Sequence, residues 1–393
     1  MLKINNNYLK LENNYLFAKI SEEKNKYIQK SDVSLIDLSI GDVTLPLVNK
    51  ASEGIIKANN LLSNINTFVG YPPSSGHEFL KEQIIKNDYL NVKAKISKEE
   101  IFISDSSKSD ISNILDIFSD KLNVAIQNPV YPVYLDSNIM RGNNILYYSS
   151  IDSLIYEIEN NDDFIIDILY ICSPSNPTGE VVTKKQLEKI ISLALKYQFI
   201  IFFDAAYEAF IQENNIPHSI YEIKNAKRVA IEFKSYSKTA GFTPIRLSYT
   251  IVPKEIKINK DITVNSLFKR LKDTKYNGPS FLSEYAIYNV YTSSAINELK
   301  ENINYYTENT KILFDFFKSK HLILDENLCV NSPYVWIKTP NNMSSWDYFY
   351  YLLDNFMILG TPGIGFGKNG ENHFRFTGFG KREDILNAID RLK

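Results

Sequence analysis

The chain has 393 residues, a formal net charge of −2 and an apolar fraction of 44%. A chain of this length is too long to fold around one small hydrophobic core, so we expect two domains. The apolar fraction excludes an intrinsically disordered chain. The nearly neutral charge gives no electrostatic basis for binding nucleic acid or an anionic membrane. Two cysteines without a pairing pattern, and no signal-peptide or membrane-spanning run, predict a soluble, cytoplasmic protein.

Short apolar runs alternate with helical patterns through the middle of the chain, as they do in βα units. The runs are rich in β-branched and aromatic residues, which predicts strands covered on both faces and therefore a mostly parallel sheet between helices. A helix is predicted over residues 184–197, with Thr183 as its N-cap. The predicted strands are Ile101–Ser104, Asn123–Gln127, Asp167–Cys172, Phe199–Phe203, Arg228–Glu232 and Leu247–Val252.

Polar clusters directly follow four of these strands, at residues 104–110, 173–179, 204–207 and 235–238. Ligands of open α/β sheets bind at the carboxyl ends of the strands, so we expect the four clusters to converge.

The pattern changes after about residue 280, where long helices and a few short strands follow. We therefore predict a large domain over residues 45–279 and a smaller α+β domain over residues 280–393. The N-terminal segment, residues 1–44, is expected to join the small domain.

Lys238 lies among two hydroxyls, Ser235 and Ser237, with Arg246 eight residues further on. A lysine that acts as a Schiff-base nucleophile must lose its proton near neutral pH, and nearby cations and desolvation favour that loss. Hydroxyl donors and a guanidinium fork would hold an anionic cofactor group beside it. Both requirements occur together in enzymes that use pyridoxal 5'-phosphate (PLP).

Three separated motifs resemble those of fold-type I PLP-dependent aminotransferases, in order and in spacing. They are Ser173-Pro-Ser-Asn-Pro-Thr-Gly179, Asp204-Ala-Ala-Tyr207 and the segment from Ser235 to Arg246. Within this group the chain is similar to the LL-diaminopimelate aminotransferase family at Asn14–Phe17, Gly41–Pro46, Ser104–Asp110, Pro129–Tyr134 and Tyr276–Gly278. The resemblance implies the α/β fold of fold-type I PLP-transferases and amino transfer between an α-amino acid and a 2-oxo acid. It also suggests a place in amino-acid biosynthesis, specifically lysine biosynthesis.

The resemblance gives several residues at the strand ends a role toward the cofactor. Lys238 would carry PLP and then act as general base, and Asp204 would pair with the protonated pyridine nitrogen. Tyr131 would lie against the ring face, while Asn176 and Tyr207 would bind the phenolic oxygen. The phosphate would be held by Ser107, Lys108, Ser235, Ser237 and Arg246.

The resemblance also implies substrate contacts and a homodimer with shared active sites. Arg375 would hold the substrate α-carboxylate as a bidentate fork, with the backbone of Gly41 beside it. Tyr71 would reach the phosphate of the neighbouring subunit. Further substrate contacts would come from Tyr15, Lys108, Asn176 and Asn277.

Two features depart from the diaminopimelate pattern. Ser74 stands where those enzymes carry a Glu suited to the distal ammonium of the substrate, and losing such a charge-assisted contact costs about 1.5–3 kcal/mol. Glu78, four residues on, could compensate, although the pattern places it in the following helix. The chain is also shorter between Arg141 and Asp162, where those enzymes have a longer aromatic loop.

Two other classes of function stay open on sequence grounds. Lyases, cyclases and oxidative PLP enzymes use the same framework residues, because a fold does not dictate the outcome of the reaction. A non-catalytic regulatory module with this fold is the second alternative, although the chain shows no appended DNA-binding segment. No metal site is predicted, because the histidines lack metal-ligand spacing.

Overall fold

The computed structural model describes residues 2–11, 16–28, 34–39, 41–90, 92, 94–293, 295–323 and 330–393. Its strands are β1 (Ile36–Asp37), β2 (Ile101–Ser104), β3 (Asn123–Gln127), β4 (Asn144–Tyr148), β5 (Ile168–Cys172), β6 (Ile200–Asp204), β7 (Ala230–Ser235), β8 (Ser248–Ile251), β9 (Tyr334–Lys338), β10 (Ile358–Leu359), β11 (Thr361–Pro362) and β12 (His373–Thr377).

The α-helices lie between and around these strands. They are α1 (Leu16–Ile28), α2 (Asn49–Leu62), α3 (Glu78–Asp88), α4 (Ser107–Asn113), α5 (Pro132–Arg141), α6 (Ile151–Asn160), α7 (Lys184–Tyr197), α8 (Tyr236–Thr239), α9 (Val264–Lys275), α10 (Phe281–Thr292), α11 (Ile296–Ser319), α12 (Ser345–Phe356) and α13 (Arg382–Leu392).

Seven strands form the main sheet, in the order β2-β8-β7-β6-β5-β3-β4. The strands from β4 to β7 run parallel to their neighbours, whereas β8 runs antiparallel to both β7 and β2. Successive side chains of β6 enter different hydrophobic clusters, Phe202 on one face and Phe203 on the other. Burial on both faces explains the apolar runs, and the predicted mostly parallel α/β sheet is confirmed.

Local sequence signals account well for these elements. Thr183 caps α7 by accepting from the backbone N–H of Gln186, whose side chain accepts in return from the N–H of Thr183, so the predicted helix 184–197 is confirmed. All six predicted strands are present: β2 and β3 have the predicted ends, and the ends of the other four differ by one to three residues. Strand β4 and helix α6 were not predicted. The reason is that β4 lies at the sheet edge and is partly exposed, so it lacks a continuous buried run.

The chain after α11 forms a second sheet with antiparallel order β11-β12-β9. Its hydrophobic cluster includes Leu16, Ile20, Ile36 and Leu38 from the N-terminal segment, which therefore packs with the C-terminal part of the chain. Helix α10 instead packs against α2 within the cluster beside the main sheet. The division at residue 280 remains a prediction. No helix in the described ranges is both long and apolar enough to cross a membrane.

Candidate active site

The carboxyl ends of β2, β5, β6 and β7 meet around a cavity of about 260 Å³. Parallel strands end at the same edge of a sheet, which explains how side chains so far apart in sequence come together. Every residue predicted to bind the cofactor within one subunit contributes to this cavity. The lining residues are Ser106, Ser107, Lys108, Tyr131, Tyr134, Cys172, Asn176, Asp204, Ala206, Tyr207, Ser235, Ser237, Lys238, Thr243 and Arg246.

Lys238 lies in α8, a single helical turn directly after β7. Ser235 caps this turn by accepting from the backbone N–H of Ser237 at 3.2 Å, and the Nζ of Lys238 donates to the carbonyl oxygen of Gly41. Burial lowers the pKa of Lys238 to about 8. The cations of Arg246 and Arg375 lower it as well, whereas the negative charge of Asp42 raises it. A substantial fraction of the amine is therefore neutral near physiological pH, as a nucleophile requires.

Asp204 ends β6 as a buried carboxylate. Its Oδ2 accepts from the hydroxyl of Tyr134 at 2.6 Å, and its Oδ1 accepts from the backbone N–H of Ala206 at 3.0 Å. Burial raises the pKa of Asp204 to about 6, against the effect of these two hydrogen bonds. No lysine, arginine or histidine of the described ranges forms an ion pair with it. A buried carboxylate with only neutral donors would be stabilised by a cationic ligand group.

Lys108 and Arg246 form the cationic side of the cavity. The Nη1 of Arg246 donates to the Oγ of Ser237 at 3.3 Å and to the carbonyl oxygen of Thr243 at 3.0 Å. Burial lowers the pKa of Lys108, and the charge of Arg246 lowers it further. Two cations that destabilise each other beside several hydroxyls favour an anion between them.

Arg375 lies on β12 and is only 1% exposed. Its Nη1 donates to the Oδ1 of Asn176 at 2.6 Å, and its Nη2 donates to the carbonyl oxygen of Ser39 at 2.7 Å and to the Oγ1 of Thr361 at 3.3 Å. Its Nε is buried and has no hydrogen-bond partner in the described part of the chain. A buried guanidinium whose partners are all neutral fits an incoming carboxylate.

Other predicted residues lie away from this cavity. Tyr71 is 88% exposed, Asn277 is exposed as well, and neither lines the cavity of its own subunit. Tyr15 lies outside the described residues. Glu78 begins α3 and forms ion pairs with Lys81 at 3.3 Å and Lys98 at 3.1 Å, so its carboxylate is already neutralised by two lysines.

Sequence reasoning missed two tyrosines of the site. Tyr134 donates to Asp204, and its spacing of three residues from Tyr131 at the start of α5 was a usable signal. Tyr334 lies under the guanidinium of Arg375, with the Arg375 Cζ 4.2 Å from the ring centroid. No sequence pattern around Tyr334 indicates a role at the site, because β9 and β12 become neighbours only in the tertiary structure.

The groups around the cavity fit the chemistry of PLP. The amine of Lys238, with its lowered pKa, suits the aldehyde of this cofactor, and the buried carboxylate of Asp204 suits its ring nitrogen. The end of the cavity with two cations and several hydroxyls suits its phosphate. For a metal ion there is no such match, since the described ranges contain no suitable cluster of His, Cys, Asp or Glu.

Comparison with known proteins gives consistent results. The family model described as aminotransferase class I and II matches residues 33–392. LL-diaminopimelate aminotransferase from Lawsonia intracellularis is 45% identical over 409 aligned positions, covering 100% of this chain and 99% of the relative, and the enzyme from Parabacteroides distasonis is 43% identical with the same coverage. The structure of L,L-diaminopimelate aminotransferase from Chlamydomonas reinhardtii superposes with a TM-score of 0.89 at 34% identity, covering 100% of this chain and 98% of that one. A Thermus thermophilus aspartate aminotransferase mutant, at 17% identity and a TM-score of 0.85 over 100% of this chain and 99% of that one, shares the fold.

Proposed function

The chain belongs to the aminotransferase class I and II family, and on this premise we propose that it transfers an amino group between LL-diaminopimelate and a 2-oxo acid. PLP is its cofactor. The observation that carries the proposal is the lowered pKa of Lys238 in one cavity with Asp204 and Arg246. The relatives are named aminotransferases, which favours amino transfer over the lyase, cyclase, oxidative and regulatory alternatives.

The side chains of the cavity have distinct tasks in this proposal. When bound, PLP supplies an electron-withdrawing ring that stabilises negative charge developing at the substrate Cα. Lys238 would hold the cofactor, and its Nζ, once the amine of the substrate has displaced it, would remove the proton from the substrate Cα as general base. Asp204 would keep the ring nitrogen protonated, because a buried carboxylate is strongly stabilised by a cation. Asn176 and Tyr207 would bind the ring oxygen, and Tyr131 would cover the ring.

The charged ends of the ligands are held by two separate arginines. Arg246 binds the cofactor phosphate, with hydroxyl and backbone donors from the loop ends around it. Arg375 binds the substrate α-carboxylate, since it is buried next to Asn176 and carries an unpartnered Nε. Lys108 lies in the same cavity as Arg246 and would contact the phosphate, and the resemblance also assigns it a substrate contact. The binding site for the phosphate is completed by Ser107, Ser235 and Ser237.

Exposed residues of the substrate loop support a homodimer with shared active sites. This loop, residues 70–76, carries the exposed Tyr71 away from the cavity of its own subunit. Gly278 has a φ of +82°, and a Cβ there would overlap the backbone of Pro73, so the loop packs closely beside Asn277. Tyr71 and Asn277 are both exposed on the segments joined by this contact, and in the proposed dimer they would face the partner's cavity.

Asp273 supplies a carboxylate where the loop has lost one. The hydroxyl of Ser74 donates to the carboxylate of Asp273 on α9, which also accepts from the Nζ of Lys269 at 2.8 Å. Hydrogen bonds from Lys269 and Ser74 lower the pKa of Asp273, so its carboxylate is charged at neutral pH. In the proposed function the carboxylate of Asp273, which is bound to the loop through Ser74, attracts the distal ammonium of the substrate.

Asp273→Asn is expected to lower kcat/KM for LL-diaminopimelate by about 10-fold, as a lost charge-assisted hydrogen bond predicts. Ser74→Glu restores the loop carboxylate and should recover activity in the Asp273→Asn protein. The measurement is steady-state kinetics with LL-diaminopimelate, and Asp261→Asn, an exposed aspartate elsewhere, is the control. If both Asp273→Asn and Ser74→Glu leave kcat/KM unchanged, this loop does not contact the substrate.

The substrate is tested by a half-reaction screen on PLP-loaded protein without any oxo acid. LL-diaminopimelate, glutamate, alanine and aromatic amino acids are added singly, and the absorbance of bound PLP is followed. Conversion to the pyridoxamine phosphate spectrum by LL-diaminopimelate is expected. Conversion by other amino acids but not by LL-diaminopimelate would refute the proposed substrate, and decay to other products would refute amino transfer.

A further inference from the structure

Tyr334, on β9, is a buried tyrosine with no role in the proposed function so far. Its hydroxyl oxygen lies 2.8 Å from that of Tyr207, and the two rings pack edge to face with centroids 5.3 Å apart. The Cζ of Arg375 lies 4.2 Å from the centroid of the Tyr334 ring. One side chain therefore contacts both the residue assigned to the cofactor oxygen and the residue assigned to the substrate carboxylate.

The surroundings hold Tyr334 in a single position. Its side chain is 5% exposed, and its backbone N–H donates to the Oγ of Ser332 at 3.1 Å. A Cβ at residue 41 would overlap the Tyr334 hydroxyl, so Gly41 provides the space in which this hydroxyl lies. Gly41 also accepts from the Nζ of Lys238, so one glycine adjoins both the Tyr334 hydroxyl and the reactive amine.

The direction of the hydrogen bond between the two tyrosines follows from the task assigned to Tyr207. A single hydrogen bond joins the two oxygens, and by geometry either hydroxyl could donate. Each hydroxyl has one proton. If Tyr207 donates its proton to the ring oxygen of the cofactor, as the proposed function assigns, only Tyr334 can donate between the two tyrosines. The guanidinium of Arg375 against the ring of Tyr334 favours this direction, because a nearby cation makes a hydroxyl a better donor.

We propose that Tyr334 is a positioning residue that donates its hydroxyl proton to Tyr207 and supports Arg375 with its ring. Since Tyr207 accepts from Tyr334, its own proton is free to point into the cavity, toward the ring oxygen of bound PLP. The ring face of Tyr334 meanwhile keeps the guanidinium of Arg375 in place by a cation–π contact. The inference rests on the proposed function in two respects, the placement of Tyr207 against the cofactor and of Arg375 against the substrate carboxylate.

Tyr334→Phe tests the donated proton, because it removes the hydroxyl and keeps the ring. The readout is the pH midpoint of the absorbance change of the PLP-loaded protein without substrate. A hydrogen bond to the ring oxygen favours the form with negative charge on that oxygen and lowers this midpoint. We expect Tyr334→Phe to raise the midpoint by about 0.5–1 pH unit, less than Tyr207→Phe does.

A double-mutant cycle separates a positioning role from a general structural one. With Tyr207→Phe already present, Tyr334→Phe should cause no further shift, since its effect passes through Tyr207. The other titratable or charged groups that act on the two hydroxyls are Arg375, Tyr131 and Cys172, and all remain in every variant. Tyr221→Phe, which removes another buried hydroxyl that bonds only backbone carbonyls, is the control and should not move the midpoint.

Tyr334→Leu tests the support of Arg375, because it removes the ring as well. Its KM for the amino acid should rise by about 10-fold, whereas Tyr334→Phe should leave KM within about two-fold. If the midpoint is unchanged in Tyr334→Phe but raised in Tyr207→Phe, the inference is overturned and the proposed function is not affected. An unchanged midpoint in Tyr207→Phe would refute the placement of Tyr207 in the proposed function, and the inference with it.

Discussion

Lys238→Ala is expected to abolish the visible absorbance of lysine-bound PLP and to lower aminotransferase activity by at least about 10²–10⁴-fold. The variant loses both the nucleophile that holds the cofactor and the base that removes the Cα proton. The lowered pKa of Lys238 is the physical basis, since it makes the neutral amine available near physiological pH. The measurement is an absorbance spectrum of the PLP-incubated protein, together with the half-reaction rate.

Two further variants make the Lys238 test specific. Lys238→Arg retains a positive charge but no nucleophilic amine, so it should behave like Lys238→Ala. Lys189→Ala removes an exposed lysine of α7 that pairs with Glu159, and it should leave both readouts unchanged. An undiminished absorbance band in Lys238→Ala would mean that another amine holds the cofactor.

Arg375→Ala should lower kcat/KM for amino-acid substrates by about 10²–10³-fold while changing the PLP dissociation constant by less than about three-fold. A bidentate contact to a carboxylate contains two charge-assisted hydrogen bonds, each of about 1.5–3 kcal/mol, and both are lost. Arg375 does not line the cofactor cavity, so PLP should still bind. The measurements are half-reaction kinetics and a PLP titration on the same preparation.

A second arginine of the C-terminal part provides the matched control for Arg375→Ala. Arg382 stacks on Tyr305 and pairs with Glu308 at 2.7 Å, away from the cavity, so Arg382→Ala should leave substrate use unchanged. Arg375→Lys keeps the charge without the fork and should give an intermediate loss. Equal losses of PLP and amino-acid binding in Arg375→Ala would contradict its assignment to the substrate.

Local patterns were sufficient for six of the seven strands described in the main sheet. The strands of its centre are buried on both faces, so their apolar runs were readable, and polar residues directly after them marked the ligand edge. The edge strand β4 was missed because a partly exposed strand has no such run. The roles of Lys238, Asp204 and Arg375 came from the resemblance and remain predictions, although the geometry around each fits its role.

The hydrogen bond between the substrate loop and α9 was not readable from sequence spacing. Ser74 and Asp273 are 199 residues apart, and only the tertiary structure brings their side chains together. Glu78 lies in the helix after the loop, as the pattern placed it, and pairs with two lysines. Which carboxylates lie beside the loop, and which cations pair with them, depends on neighbours from other elements.

By itself, the sequence predicted the fold class and the meeting of polar clusters at one edge of the sheet, because strand burial and the residues after each strand are local properties of the chain. The tertiary structure alone decided the state of those residues. Burial lowers the pKa of Lys238, with the cations of Arg246 and Arg375 from distant segments, and burial raises the pKa of Asp204. The contacts of Tyr334 with Tyr207 and Arg375 likewise join segments far apart in the chain. Desolvation and Coulomb interactions act through space, and no pattern along the chain encodes which side chains will be neighbours.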